Sequence, residues 1–253
     1  MKTRLAYVSD LHLDMRGAVA PLYFPPADVL IIAGDVCSYD NLDMKIVKDF
    51  YDRATSSYPL VLMVEGNHEF YNFAEGVFGT SPLEGAYDNL VILRDETYSY
   101  RGLKFFGGTM WSGVDNDDQE DIMKTISIMS RINDFRYITV KGNIPLSYRN
   151  DCMYFYRQFV DKVKKADADI IISHFAPTQL SIEDKFKHSM LNPYFCNNFD
   201  TSVFAKPTYW IHGHVHHIHQ WNSNKVAGFC NPFGYVGENR EHLIRTFDVD
   251  ISS

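Results

Sequence analysis

Apolar and polar positions follow a repeating order over the first third of the chain. Arg4 to Ser9 alternates and is rich in strand formers, which predicts a first strand stopping at Asp10-Leu11-His12-Leu13-Asp14. Met15 to Ala27 contains Gly17 and three prolines and reads as a loop. Val29 to Ala33 is an unbroken apolar run, the pattern of a strand buried on both faces, and it ends at Gly34-Asp35. Leu42, Ile46, Val47 and Phe50 recur at helical spacing, predicting a helix capped by Asp40 or Asn41 and running to about Thr55. Leu60 to Val64 is a third apolar strand, ending in Glu65-Gly66-Asn67-His68-Glu69. Strand, helix, strand in this order argues for parallel βαβ units.

Further on, Asn89 to Leu93 reads as a short strand, and Thr97 to Gly107 as a hairpin turning at Arg101-Gly102. Trp111 to Val140 is less regular. Its acidic run, Asp115, Asp117, Asp118, Glu120 and Asp121, reads either as a helix N-terminus, where negative charge is favourable, or as part of an insertion over a site. Asn150 to Lys165 is an amphipathic helix, and Asp169 to Ser173 a strand ending at His174. Phe175 to Lys206 is a long connection, which by its length is functional or carries short elements of its own. Thr208 to Ile211, Lys225 to Cys230 (reached by a turn at Asn222-Ser223-Asn224) and Leu243 to Val249 complete the strands. No internal repeat or Pro/Gly/Ser-rich linker interrupts this pattern. One domain over 1–253 is expected, with 111–140 and 175–206 as candidate cap segments.

Composition narrows the class. The chain of 253 residues is 45% hydrophobic and 22% charged, enough to bury a sizeable core. A net charge of −8 argues against a broad basic face for duplex nucleic acid. Cys37, Cys152, Cys196 and Cys230 are widely spaced, which suggests neither a zinc ribbon nor a disulfide framework and points to a reducing compartment. No signal-peptide core or bilayer-spanning run is visible, so a cytoplasmic protein that does not engage membranes is expected.

The chemistry concentrates where strands end. Ile211 to Gln220, IHGHVHHIHQ, holds five histidines in eight positions, half of the ten in the chain. In extended chain His212, His214 and His216 would project to one side, leaving His217 and His219 as surface or strand residues. Four other strand ends also deliver potential ligands: Asp10 and His12; Asp35; Asn67 with His68; and His174. Carboxyl ends of parallel strands lie along one edge, where α/β proteins build their sites. Two carboxylates, one amide and four imidazoles are too many for one tetrahedral zinc. They suit two ions sharing a carboxylate, roughly 3.5–4 Å apart.

Asp10-x-His12, Gly34-Asp35, Gly66-Asn67-His68-Glu69, His174 and Gly213-His214-Val215-His216 resemble, in order, the five signature blocks of the calcineurin-like metallophosphoesterase superfamily. Asn133-Asp134-Phe135, His174-Phe175-Ala176-Pro177 and Asn231-Pro232-Phe233-Gly234-Tyr235 are similar to patterns in its compact bacterial and phage-type phosphohydrolases. The resemblance implies a four-layer α/β/β/α sandwich, two mixed sheets flanked by helices, with the metal site at the strands' C-terminal edge. It implies one ion held by Asp10, His12, Asp35 and His216 and a second by Asp35, Asn67, His174 and His214, with Asp35 bridging. Mn²⁺ is the first expectation for both, with Fe, Zn or Ni as alternatives. A hydroxide between the ions would attack a small phosphorylated substrate, a nucleotide-like mono- or diester. His68 would face that substrate, protonating the leaving oxygen or stabilising developing charge.

Other residues keep two readings. Asp14 and Glu69 are read as hydrogen-bond partners of the ligands or turn residues, with a place among the ligands themselves as the alternative, and His212 as a ligand support or a packing residue. His188 and His242 are read as surface residues. Tyr194, Phe195 and Tyr235 stack a nucleobase or pack their loops. Departures from other branches narrow the activity. Gly34-Asp35-Val36-Cys37-Ser38-Tyr39-Asp40 lacks the arginine that protein phosphatases of the superfamily carry there. It also has Ser38 where purple acid phosphatases place a tyrosine ligand. A nuclease, a protein phosphatase and a non-catalytic metal-dependent scaffold are the alternatives.

Overall fold

The computed structural model describes residues 2–17, 22–113, 119–239 and 242–250, with backbone alone for 119–122. Its strands are β1 (Lys2–Val8), β2 (Val29–Ala33), β3 (Val61–Val64), β4 (Leu90–Ile92), β5 (Glu96–Tyr100), β6 (Leu103–Gly108), β7 (Thr139–Lys141), β8 (Ile144–Pro145), β9 (Ile170–Ser173), β10 (Thr208–His212), β11 (His219–Ser223), β12 (Val226–Cys230) and β13 (Arg245–Asp250). The α-helices are α1 (Lys45–Ser57), α2 (Gln119–Arg131), α3 (Asp134–Tyr137), α4 (Met153–Ala166) and α5 (Asn192–Phe195).

Two mixed sheets form. The first runs β13-β1-β2-β3-β4, parallel except for β13 at one edge. The second runs β11-β12-β10-β9-β6-β5, its four central strands parallel and both edge strands antiparallel. Strand parity explains how the layers stack. Leu5, Tyr7, Val29 and Ile31 of the first sheet meet Phe105, Ile170, Ile172 and Ile211 of the second. The alternate residues Ala6, Val8, Leu30 and Ile32 face outward onto Val47, Phe50, Tyr51 and Ala54 of α1. On the other flank Phe106, Ile171 and Trp210 face Tyr156, Phe159 and Val163 of α4. Both faces of the central strands are therefore dry, which is why their sequences are unbroken apolar runs. This is the four-layer α/β/β/α arrangement that the resemblance implied.

The local expectations fare unevenly. The hairpin turn at Arg101-Gly102 is as expected, with both residues at positive φ, 50° and 79°. Helix α1 starts at Lys45, not at Leu42. Ser38 caps a separate turn over Tyr39–Asn41, and Asn41 instead donates to Asp14. The turn before β12 lies at Asn224–Lys225, one step later than expected, because His219–Ser223 pairs with β12 as a further strand. That strand is polar and lies at a sheet edge, so its sequence lacks an apolar run. The acidic residues Asp115, Asp117 and Asp118 lie outside the described residues, while Glu120 and Asp121 fall in the first turns of α2.

Ile172 sits fully buried where the sheets meet. Ile172→Ala removes three carbons there and should lower the unfolding free energy by ~2–5 kcal/mol, measured by urea denaturation.

Candidate metal centre and its pocket

β1, β2 and β3 of the first sheet and β9 and β10 of the second end against one another. Asp10, Asp35 and Asn67 leave the first sheet there; His174, His214 and His216 leave the second. The chain must turn sharply at this junction. Asp10, His12, Asp35 and His214 all have positive φ, at 52°, 44°, 57° and 68°. Left-handed backbone is uncommon for non-glycine residues and concentrates at functional sites. Backbone amides fix the carboxylates from the far side. His214 N–H donates to Asp10 Oδ1 at 2.9 Å, and His68 N–H donates to Asp35 Oδ1 at 2.8 Å.

All eight residues singled out in the sequence meet at this junction. His12 Nε2 lies 3.1 Å from His216 Nε2, and His216 Nε2 lies 3.4 Å from Asp10 Oδ1. His174 Nε2 lies 3.4 Å from Asp35 Oδ2 and 2.9 Å from Asn67 Oδ1, which is 3.1 Å from His214 Nδ1. Donor atoms of Asp10, His12 and His216, of His12, Asp35 and His68, and of Asp10, Asp35 and His174 each cluster within 4.8 Å. Two imidazole nitrogens pointing at each other beside two sealed carboxylates is a poor arrangement for a core and a fitting one for cations.

Electrostatics agrees. Burial penalises charge on His174, yet Asp35 beside it outweighs this and pushes its pKa up to about 9. Burial likewise opposes charge on His216, but its bonds to Asp10 and Glu238 raise it to about 10. Burial holds His12 down to about 3. Asp10 and Asp35 are both fully enclosed, and despite burial their imidazole partners keep them below the usual carboxylate range, Asp10 at about 2. The pocket floor thus draws positive charge onto itself.

Support comes from residues with few or ambiguous sequence signals. Glu69 is fully buried and accepts from Asp35 N–H, Gly66 N–H and Val36 N–H at 2.9, 2.6 and 2.7 Å, pinning two of the turns together. His174 Nδ1 faces Ala33 O at 2.8 Å, and His216 Nδ1 faces Glu238 Oε2 at 2.6 Å, so each presents Nε2 to the centre. Glu238 had no signal, lying 22 positions away in an irregular loop. Asp14 proves to be a turn residue, accepting from Ser38 N–H and Asn41 Nδ2.

His212 does not project with His214 and His216, because Gly213 and the left-handed His214 break the strand's alternation. It shares the outer face with Trp210 and accepts from Trp221 Nε1 at 3.1 Å, so it packs rather than supports ligands. His188 is exposed as expected, whereas His242 is partly buried and stacks on Phe233. Tyr194 is buried, Phe195 stacks on His214 with ring centres 5.1 Å apart, and the Tyr235 hydroxyl lies 2.9 Å from His68 Nε2.

The sequence profile of the calcineurin-like phosphoesterase family matches residues 3–217. The chain belongs to this family. It is therefore a hydrolase acting on phosphoester bonds and depends on metal ions for that activity. Uncharacterized protein L509 of Acanthamoeba polyphaga mimivirus is 23% identical, the alignment covering 97% of this chain and 96% of the viral protein. The structure of phosphopantetheinyl hydrolase from Mycobacterium tuberculosis superposes with a TM-score of 0.64 at 16% identity, covering 96% of this chain and 95% of that one. That likeness is one of fold.

Above the junction opens a cavity of about 540 Å³. Asp35, Asn67, His68 and His214 form its floor. Its walls come from 131–134, from 181–196 and from Tyr235 and Glu238.

A Cβ on Gly66 would lie 2.1 Å from Asp35 Oδ1 and 2.7 Å from His174 Cε1. Gly66→Ala should therefore displace both side chains and lower metal-dependent phosphoester hydrolysis by about 100-fold, the usual penalty for an ångström of misplacement. Circular dichroism should show the fold retained.

Proposed function

We propose that the chain is a dinuclear phosphoesterase for small phosphorylated substrates, with Asp10, His12, Asp35 and His216 holding one ion and Asp35, Asn67, His174 and His214 the other. The observation behind this reading is the convergence of those seven side chains from two sheets on one buried point. Asp35 lies near His12, His68 and His174 at once, as a shared ligand must. Mn²⁺ is our first choice, with Fe, Zn and Ni as alternatives, since mixed nitrogen and oxygen donors do not select sharply among these metals. Bound there, divalent ions would polarise phosphoryl oxygens and make water nucleophilic at neutral pH.

The chain's own residues supply the rest. His68 stands at the edge of the cluster with its Nε2 toward the cavity and Tyr235. We assign it the proton for the leaving oxygen, with the Tyr235 hydroxyl holding its ring in place. The floor is anionic, whereas the walls mix charges of both signs with apolar and polar groups. Ile132, Ile182, Phe186, Leu191 and Phe195 offer apolar and flat surface, and Ser189 and Asn192 offer hydrogen bonds. A cavity of about 540 Å³ with this lining suits a nucleotide-sized organic group. We read residues 119–137 and 181–195 as a cap belonging to a single domain. Arg131, on the wall, has no ion pair or side-chain hydrogen bond among the described residues. It is placed to meet a second anionic group.

Hydrolysis of aryl phosphate mono- and diesters with added Mn²⁺ tests the assignment. Asp35→Asn should lose metal and activity together. His68→Ala should keep metal and lose about 10²–10⁴-fold in turnover. Undiminished turnover in both variants would falsify the scheme. If oligonucleotides or phosphopeptides are cleaved faster than nucleotides and aryl esters, the substrate class is wrong while the chemistry stands.

Arg131→Ala should raise KM for nucleoside diphosphates by about tenfold, as loss of one charged hydrogen bond does, and leave aryl phosphate hydrolysis unchanged. Steady-state kinetics on both substrates checks this.

A further inference from the structure

Asp134 opens α3, outside both sheets, yet it is 2% exposed and has no Lys or Arg against it among the described residues. Burying such a carboxylate is costly unless donors satisfy it. Three do. Asn67 Nδ2 donates to its Oδ1 at 3.2 Å, Tyr71 Oη donates to the same oxygen at 2.5 Å, and Tyr194 Oη donates to Oδ2. Burial pushes the Asp134 carboxyl up, and the two phenol bonds hold it down.

The bond to Asn67 has a chemical consequence. A carboxamide has two nearly isosteric ends, one accepting and one donating, and nothing in its shape selects between them. A carboxylate only accepts. Asp134 therefore turns the Nδ2 end of Asn67 toward itself and leaves Oδ1 facing His174 Nε2 and His214 Nδ1, at 2.9 and 3.1 Å. Reversed, the amide would set an oxygen lone pair against a carboxylate and point two N–H groups at the position a cation would take. The two phenols extend the same control. The Tyr71 ring stacks on His68 with centres 4.2 Å apart and planes 17° apart, and the Tyr194 ring meets His214 edge-on at 5.6 Å.

We propose that Asp134 is a positioning residue that fixes the Asn67 amide with its oxygen toward the metal cradle. The proposal rests on the reading of Asn67 as a ligand of one ion of the pair. It assigns to α3 the task of completing one half of the centre, leaving the half built on Asp10, His12 and His216 independent of it.

Three variants of the full chain separate positioning from general stability. Asp134→Leu keeps the forked outline, in a bulkier side chain, and removes both acceptors. Asp134→Asn retains one carbonyl oxygen able to face Asn67, with its amide turned to Tyr194. Tyr194→Phe removes a donor to Asp134 but leaves the carboxylate against Asn67. Mn²⁺ uptake is measured by equilibrium dialysis, ion pairing by electron paramagnetic resonance, and Tm on the metal-free proteins. Asp134→Leu should weaken one Mn²⁺ by about 10–100-fold, the usual cost of losing a ligand's support, with the spin-coupled signal replaced by that of an isolated ion. Asp134→Asn should restore both ions. Tyr194→Phe should lower Tm yet bind two ions as the unaltered chain does. Two wild-type affinities in Asp134→Leu, or loss of the second ion in Tyr194→Phe equal to that in Asp134→Leu, would overturn the proposal. If Asp134→Leu does not fold, Asp134→Ser, too short to reach Asn67, takes its place. An unaltered chain that binds no pair of ions overturns the dinuclear reading itself, an outcome distinct from the others.

Discussion

Two carboxylates closed off from water, Asp10 and Asp35, set the terms for everything around them. An anion removed from solvent costs several kcal/mol unless amides and cations replace its hydration. Here the amides come from chain that has just crossed a turn: His214 N–H for Asp10 and His68 N–H for Asp35. The Asp10 bond crosses from one sheet to the other, as does that between His174 Nδ1 and Ala33 O, and Arg16 ties Leu11 O to Gly234 O nearby. The polar junction is thus also the seam that holds the two sheets in register at this end.

That double duty explains the strained backbone. Four candidate ligands sit in the left-handed region: Asp10, Asp35 and His214 each lie two residues past the end of a strand, where the chain must reverse direction, and His12 follows Asp10 in the same turn. Glu69 fastens these turns by collecting three backbone N–H groups from the chain after β2 and β3. A carboxylate used in this way resembles a staple across two turns, and Gly66 is needed because even one carbon there would overlap Asp35.

Much of this was legible in the residues, and the limits have physical causes. Strands buried on both faces announce themselves as apolar runs, so β2, β3, β9 and β10 could be placed to within a residue or two. Candidate ligands could be found because they cluster just after such runs, and D-x-H, GD, GNHE and GHVH keep their spacing. Long-range partners leave no such trace. Asp134 meets Asn67 across 67 positions, and Glu238 meets His216 from an irregular loop. His212 misled the eye because alternation holds only while the strand does, and one glycine ended it. The polar edge strand β11 was invisible for the opposite reason: it is recognised by its pairing with β12, not by its composition.

The cavity's floor and its walls belong to different kinds of chain. The floor hangs from strand ends, where a single added carbon on Gly66 disturbs two candidate ligands. The walls are short helices and coil from 131–134 and 181–196, which pair with neither main sheet. Exchanges in these two stretches, away from Asp134, Tyr194 and Phe195, which touch the centre itself, can reshape what enters without touching what reacts. Such a design lets descendants of one ancestor keep their reaction while drifting toward new substrates.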